Sequence, residues 1–139
     1  FEWRERQLLA SLARRMKKRL DAGMDSFDAL VEVQDHAVAL AKAHTEMVVL
    51  EQFAAGVDRC DSPPLRDTLS ALCDLYALHR IEADCGWFLE NDYIGDGKSK
   101  AIRKLVNRLC RETRQQAVPL VDAFSIPDPV LAAPIALGS

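Results

Sequence analysis

The chain has 139 residues, of which 49% are hydrophobic and 28% charged, with a formal net charge of −3. That length favours one domain and suffices for a core without metal or disulfide staples. The charge balance shows no global basicity, nucleic-acid motifs are absent, and no apolar run approaches the ~18 residues a membrane span needs.

The chain opens on Phe1 inside a helical pattern, and no signal peptide is visible. This start predicts a piece of a larger protein. Residues 1 to about 22 read as a helix. Phe1, Leu8, Leu9, Leu12, Met16 and Leu20 fall near one face, with Trp3 close by. Arg4, Arg6, Arg14, Arg15, Lys17, Lys18 and Arg19 are assigned to the opposite face. That basic run is either a phosphate-contacting patch or, the plainer reading, a solvated helix face. Gly23 suits the C′ position, and terminal Lys and Arg suit the negative end of the macrodipole.

Ser26 is placed as the N-cap of a second helix, with Asp25 and Asp28 near its start. Its pattern runs through Phe27, Leu30, Val31, Gln34, Ala37, Val38, Ala41, His44, Val48 and Phe53, and no Gly or Pro intervenes before Gly56. A helix of about 30 residues, about 45 Å long, is expected. His36 and His44 share a face with Glu32 and Glu46 nearby. A metal site wants closer ligands, so polar side chains bonded at a helix interface are expected instead.

Asp58–Pro64, DRCDSPP, breaks the helix. From Leu65 to Glu90, Leu65, Leu69, Leu72, Leu75, Tyr76, Leu78 and Ile81 recur at helical spacing, and Cys73 and Ala77 widen the face. So broad an apolar face predicts a central helix covered on more than one side. It should run to about Cys85, with a further turn or two after Gly86. Asn91–Lys98, NDYIGDGK, has loop chemistry and does not form a P-loop. Ser99 is placed as the cap of a fourth helix through Ile102, Leu105, Val106, Leu109 and Cys110, with Lys104, Arg108 and Arg111 on its charged face. Pro119 should kink that helix or separate it from Leu120–Phe124. Pro127, Pro129 and Pro134 preclude a long helix in the tail, though Pro129 suits the start of a short turn. Leu131, Ile135 and Leu137 predict that the tail packs on something. Four amphipathic segments joined by short breakers predict an all-α fold, an antiparallel up-and-down four-helix bundle forming one domain over 1–139.

Cys60, Cys73, Cys85 and Cys110 are spaced by 13, 12 and 25 residues and form no zinc pattern. Cys73 and Cys110 are read as small hydrophobes on apolar helix positions. A reducing compartment is expected. No nucleophile motif, dinucleotide fingerprint or metal motif occurs. Asp84, Glu82, Glu90 and Asp92 are carboxylates without the spacing of an acid–base pair. No catalytic or metal-binding residue is assigned, and none is assigned to a cofactor.

Several runs together resemble the C-terminal helical domain of acyl-CoA oxidases. They are Leu72–Leu78 (LCDLYAL) followed by Ile81, then Leu120–Phe124 (LVDAF), Ile126–Asp128 (IPD) and Ala133–Ala136 (APIA). The last two look most like the branch of plant short- and medium-chain peroxisomal oxidases and their bacterial relatives. Phe1-Glu2 with Arg4, and Ala41–His44, fit the same pattern, so the resemblance covers essentially the whole chain.

The resemblance implies a flavoenzyme of fatty-acid β-oxidation with non-covalent FAD. In this family a glutamate takes the α-proton of the acyl-CoA, hydride passes from the β-carbon to the flavin, and oxygen returns as hydrogen peroxide. The resemblance places that glutamate and most of the FAD site upstream, and gives this domain a supporting role and a share in a homodimer. The chain ends Leu137-Gly138-Ser139, unlike a Ser-Lys-Leu peroxisomal address. Its Ala- and Arg-rich composition suggests bacterial cytoplasm, with peroxisome as the alternative. A stand-alone helical interaction module and the related acyl-CoA dehydrogenase are the competing readings. Neither nucleic acid nor membrane is an expected partner.

Overall fold

The structure is a computed structural model that describes residues 1–127 and Val130. No described residue lies in a β-strand. The helices are α1 (Glu2–Asp21), α2 (Ser26–Glu32), α3 (Gln34–Asp58), α4 (Pro63–Ala83), α5 (Cys85–Glu90), α6 (Asp96–Thr113) and α7 (Ala117–Asp122), with a 3₁₀ turn at Arg114–Gln116. The four long segments expected from periodicity are α1, α3, α4 and α6. The chain divides into two compact units, Phe1–Arg59 and Cys60–Ser139.

In the first unit α1 packs chiefly on α3, and α2 touches both. The pairing is antiparallel. Arg4 meets Glu46 and Glu5 meets His44 on α3, and Arg19 meets Glu32 at the end of α2 just before α3 begins, so the numbers rise on one side as they fall on the other. Leu8, Ala29, Val33 and Ala43 form the buried apolar seam. The end of α1 follows from Gly23. At φ +85° it takes the left-handed turn, its N–H donates to the Leu20 carbonyl, and the Met24 N–H donates to that of Arg19. These two bonds make a Schellman motif, which satisfies carbonyls the helix leaves open.

Three expectations for this unit are corrected. The cap of α2 is Asp25, whose carboxylate accepts the Phe27 N–H at 2.8 Å. Ser26 is the first helical residue. The single long helix is interrupted at Val33, which has φ −117° and ψ 15°. The side chain of Val33 is fully buried, as is Ala29. The bend that buries Val33 redirects the chain where no Gly or Pro marks it. The helical faces are also rotated. Leu9 and Leu20 on α1, and Phe27, Leu30, Val31, Val38 and Val48 on α2 and α3, are exposed. Ala43 and Glu46 are the buried positions of α3.

In the second unit Pro63 and Pro64 open α4, where a missing N–H costs nothing. The Arg66 guanidinium donates through Nε to the Cys60 carbonyl at 2.8 Å and ties down the preceding breaker. α4 packs on α6, again antiparallel, with Glu82 beside Arg103 and Cys85 beside Ser99. Phe88, Val106 and Leu109 are its buried apolar residues. The expected break near Gly86 lies at Asp84, between α4 and α5.

The central-helix expectation is corrected in degree. No residue of α4 is buried, Leu65 is about half exposed at 49%, and most other apolar residues of α4 are half-buried. Ser99 is not a cap, because α6 starts at Asp96 behind Gly95. Pro119 lies in the first turn of α7, and the break falls upstream at the 3₁₀ turn. A proline there could not donate to the carbonyl of residue 115, and its ring would clash with that carbonyl in a continuous helix. The short turn at Pro129 and the packing of Leu131, Ile135 and Leu137 lie outside the described residues.

Candidate functional site

The groups best suited to chemistry resolve into helix-to-helix fasteners. Arg4, expected on the basic face of α1, is buried. Its Nη1 donates to Glu46 Oε2 at 3.1 Å, and the side chains keep only 7% and 9% exposure. The correction is geometric. Arg4 lies four residues before the buried Leu8, on the same stripe of a 3.6-residue helix. Lys42 Nζ stands 3.8 Å from the other Glu46 oxygen. The rest of the basic run fits a solvated face. Arg6 pairs with Glu2 and Lys17 with Asp21 one turn away, all exposed. Arg19 reaches Glu32 at 2.8 Å and joins α1 to α2.

His44 Nδ1 lies 2.7 Å from Glu5 Oε1, so this histidine is bonded at the α1–α3 interface as expected. His36 Nδ1 is 3.9 Å from Asp35. The structure does not bring the two histidines to one set of ligands, and no metal-holding group of His, Cys, Asp and Glu occurs among the described residues.

Of the four carboxylates weighed, Glu82 pairs with Arg103 Nε at 3.4 Å across α4 and α6. Asp84 occupies the one-residue joint between α4 and α5. Glu90 and Asp92 are exposed, and Asp92 takes a left-handed turn at φ 53°. None converges on another. The cysteines are free thiols. Burial pushes the Cys73 thiol up from its ordinary value, and the neighbouring Asp74 charge adds to this. Cys110 is exposed, which corrects its reading as a small hydrophobe at an apolar helix position. Cys85 Sγ lies 3.1 Å from Ser99 Oγ. Phe88 is flanked by Trp87, edge-on at 5.3 Å between ring centroids, and by Tyr93 at 5.8 Å.

An open recess of about 200 Å³ lies between the start of α4 and the end of α6, lined by Asp67, Thr68, Ala71, Glu112, Thr113 and Gln116. Two carboxylates in its wall would repel a pyrophosphate, and small-molecule sites usually span about 300–1,000 Å³. The recess therefore does not fit a flavin dinucleotide.

The decisive observation is one of sequence. The pattern shared by the family described as acyl-CoA oxidase matches residues 1–137. The chain belongs to the acyl-CoA oxidase family. It is 40% identical over 139 residues to acyl-coenzyme A oxidase 2, peroxisomal, of Arabidopsis thaliana, covering 100% of this chain and 20% of that protein. It is 32% identical over 133 residues to an acyl-coenzyme A oxidase-like protein of Mus musculus, covering 95% of this chain and 21% of the relative. This acyl-CoA oxidase family chain thus spans about a fifth of the length of the curated relatives it matches. The fold agrees. The crystal structure of acyl-CoA oxidase-2 of Caenorhabditis elegans, bound with FAD, ascaroside-CoA and ATP, superposes with a TM-score of 0.83 over 89% of this chain and 18% of its own, at 21% identity. Acyl-CoA oxidase-1 of the same organism, complexed with FAD and ATP, gives 0.85 over 91% of this chain and 19% of its own, at 18% identity. The all-α fold of this chain is therefore shared with the stretch of those acyl-CoA oxidases that it covers.

Proposed function

We propose that this chain is the C-terminal helical domain of an FAD-dependent acyl-CoA oxidase, a single domain containing both compact units. The full-length enzyme converts acyl-CoA and O₂ to the trans-2-enoyl-CoA and H₂O₂. The family match over residues 1–137 carries this reading, because it spans both units in one stretch. The catalytic base and the principal FAD contacts belong to the other four-fifths of the enzyme. This is consistent with the dispersed carboxylates and the acidic recess here, and no chemical step is assigned to residues of this chain. Its role is mechanical: a helical layer excludes water from a flavin site and fixes the domain that carries the base. The enzyme is a homodimer in this reading, since helical faces are usual dimer surfaces. Its compartment is bacterial cytoplasm on composition. The peroxisomal name of the Arabidopsis relative supports peroxisome as the second reading.

The test is the visible spectrum of the full-length protein, recorded anaerobically with a fatty acyl-CoA and again after air is readmitted. The expected result is a yellow protein that bleaches and recovers with one peroxide per enoyl product. Slow recovery without peroxide would make it a dehydrogenase, and a colourless protein would leave an interaction module. The isolated 139-residue chain should bind no stoichiometric FAD, and such binding would overturn the upstream placement of the cofactor site.

A further inference from the structure

α6 carries a basic stripe for which the described residues supply no counter-charge. Within Asp96–Thr113 six cations stand against two carboxylates, in a chain whose formal net charge is −3. Lys100, Lys104, Asn107 and Arg111, with Arg114 just after the helix, are spaced alternately by four and three residues and share one face. All five are exposed. The buried Leu109 lies about 180° around α6 from the centre of the stripe, at about 100° per residue, so packing on α4 leaves the stripe uncovered. The flanking arginines differ. Arg103 has Glu82 at 3.4 Å, and Arg108 has Glu112 at 3.6 Å. No carboxylate among the described residues pairs with Lys100, Lys104, Arg111 or Arg114, although the chain holds 21 Asp and Glu. Like charges one turn apart destabilise a helix, so the stripe costs stability until an anion covers it.

We propose that this stripe receives the phosphorylated adenosine end of the acyl-CoA substrate in the full-length enzyme. Charge complementarity singles out this occupant. The cations form two pairs, Lys100 with Lys104 and Arg111 with Arg114, and the inner members stand seven residues, about 10 Å, apart along the axis. Coenzyme A likewise carries two anionic centres, a diphosphate and a separate 3′-phosphate, joined through one ribose that also bears adenine. Arginine forks match phosphate oxygens bidentately, and the lysine ammonium groups act as point charges beside them. Asn107 lies midway between the pairs. Its amide has the donor and acceptor that pair with the edge of an adenine. A nucleic acid is a poorer occupant, because a polyanion of that length would meet the rest of a surface whose net charge is negative. The acyl chain carries no charge, so the stripe acts on the carrier end of the substrate and leaves the reacting thioester to the remainder of the enzyme.

Because the occupant rests on the acyl-CoA reading above, the unaltered full-length enzyme is assayed first, with a fatty acyl-CoA and with the same acyl group on pantetheine, which carries no phosphate. No peroxide from either thioester overturns the oxidase reading and the role of the stripe with it. With turnover established, the full-length Lys104→Glu/Arg111→Glu variant separates the two. Its KM for acyl-CoA should rise at least tenfold while kcat changes less than twofold, the signature of lost uniform binding. Both constants for the acyl-pantetheine should stay within twofold of the unaltered enzyme. Added salt should lower kcat/KM for acyl-CoA in the unaltered enzyme and much less in the variant, since salt screens exposed charges. Lys104→Gln/Arg111→Gln should show the same split with a smaller rise in KM. A KM for acyl-CoA within twofold in the Glu variant overturns the proposal. So does an equal loss with both thioesters, or loss of flavin from both variants, because either makes the stripe a contact with the enzyme's other domains. Calorimetric titration with ATP is the last arm. A variant that loses ATP affinity but keeps its KM for acyl-CoA assigns the stripe to a free nucleotide and likewise overturns the proposal.

Discussion

Replacing Glu46 by alanine should be among the most damaging single changes in the first unit. An exposed ion pair contributes about 0–1 kcal/mol, but removing one member of a buried pair costs about 3–5 kcal/mol. The Arg4–Glu46 pair belongs to the second class, with side chains 7% and 9% exposed and 3.1 Å apart. In Glu46→Ala the guanidinium of Arg4 keeps its desolvation penalty and loses the Glu46 carboxylate. The reverse change is milder. In Arg4→Met the methionine retains much of the apolar stem, and Glu46 still has Lys42 at 3.8 Å, so the loss should be about 1–2 kcal/mol. The double variant Arg4→Met/Glu46→Leu removes both charges and should recover most of the loss, since well-packed apolar residues often replace a buried pair at no cost. Urea unfolding followed by far-UV circular dichroism would rank the three. The expected order of damage is Glu46→Ala, then Arg4→Met, then the double variant. A loss below about 1 kcal/mol for Glu46→Ala, or a double variant as weak as Glu46→Ala, would refute the view that burial sets the value of this pair.

Gly23→Ala should cost about 1–2 kcal/mol in thermal unfolding. The whole penalty is backbone strain, because φ is +85° and nothing lies within 4 Å of the added Cβ. Leu109→Ala should destabilise by about 2–5 kcal/mol, while Leu75→Ala on the half-buried α4 should cost only about 1–2 kcal/mol by calorimetry. Equal losses would mean that α4 is as fully covered as α6. Cys73 should alkylate more slowly than the exposed Cys110 at mildly alkaline pH, in a mass-spectrometric time course. Its raised value means that the folded state holds the thiol proton more tightly. Its share of stability is therefore present below the ordinary thiol value and is lost as pH rises through the folded one, which a urea series at increasing pH would register.

The fold class and most helix ends were legible because their signals are local. Gly23, the DRCDSPP breaker and Pro119 each restrict backbone angles whatever surrounds them. Caps were less legible, since Asp25 and Ser26 are both good N-cap residues and only the hydrogen bond to the Phe27 N–H decides between them. The break at Val33 was illegible. A fully buried valine with no Gly or Pro beside it looks like one more helical residue, and only its tertiary burial distinguishes it. Arg4 was misassigned because charge was read before position, although its spacing from Leu8 gave the correct face. The length of the uninterrupted apolar pattern overstated the covering of α4, because periodicity shows which side chains want burial and not whether the partner lies in the same stretch of chain. The family was legible from ordered runs such as LCDLYAL and LVDAF. No single residue revealed an active site, since the groups that could have made one are engaged as fasteners or dispersed.

α2 is only seven residues long, well below the length at which a helix persists in water by itself. Yet it holds Ala29 and runs straight into Val33, the two least exposed side chains described. The N–H of Ala29 donates to the Asp25 carbonyl and that of Val33 to the Leu30 carbonyl, and neither bond should outlast the docking of the segment on α1 and α3. Deuterium uptake at these two amides would therefore follow the opening of the whole first unit, with little contribution from local fraying. A seven-residue segment would so serve as a built-in gauge of how tightly that unit is held shut.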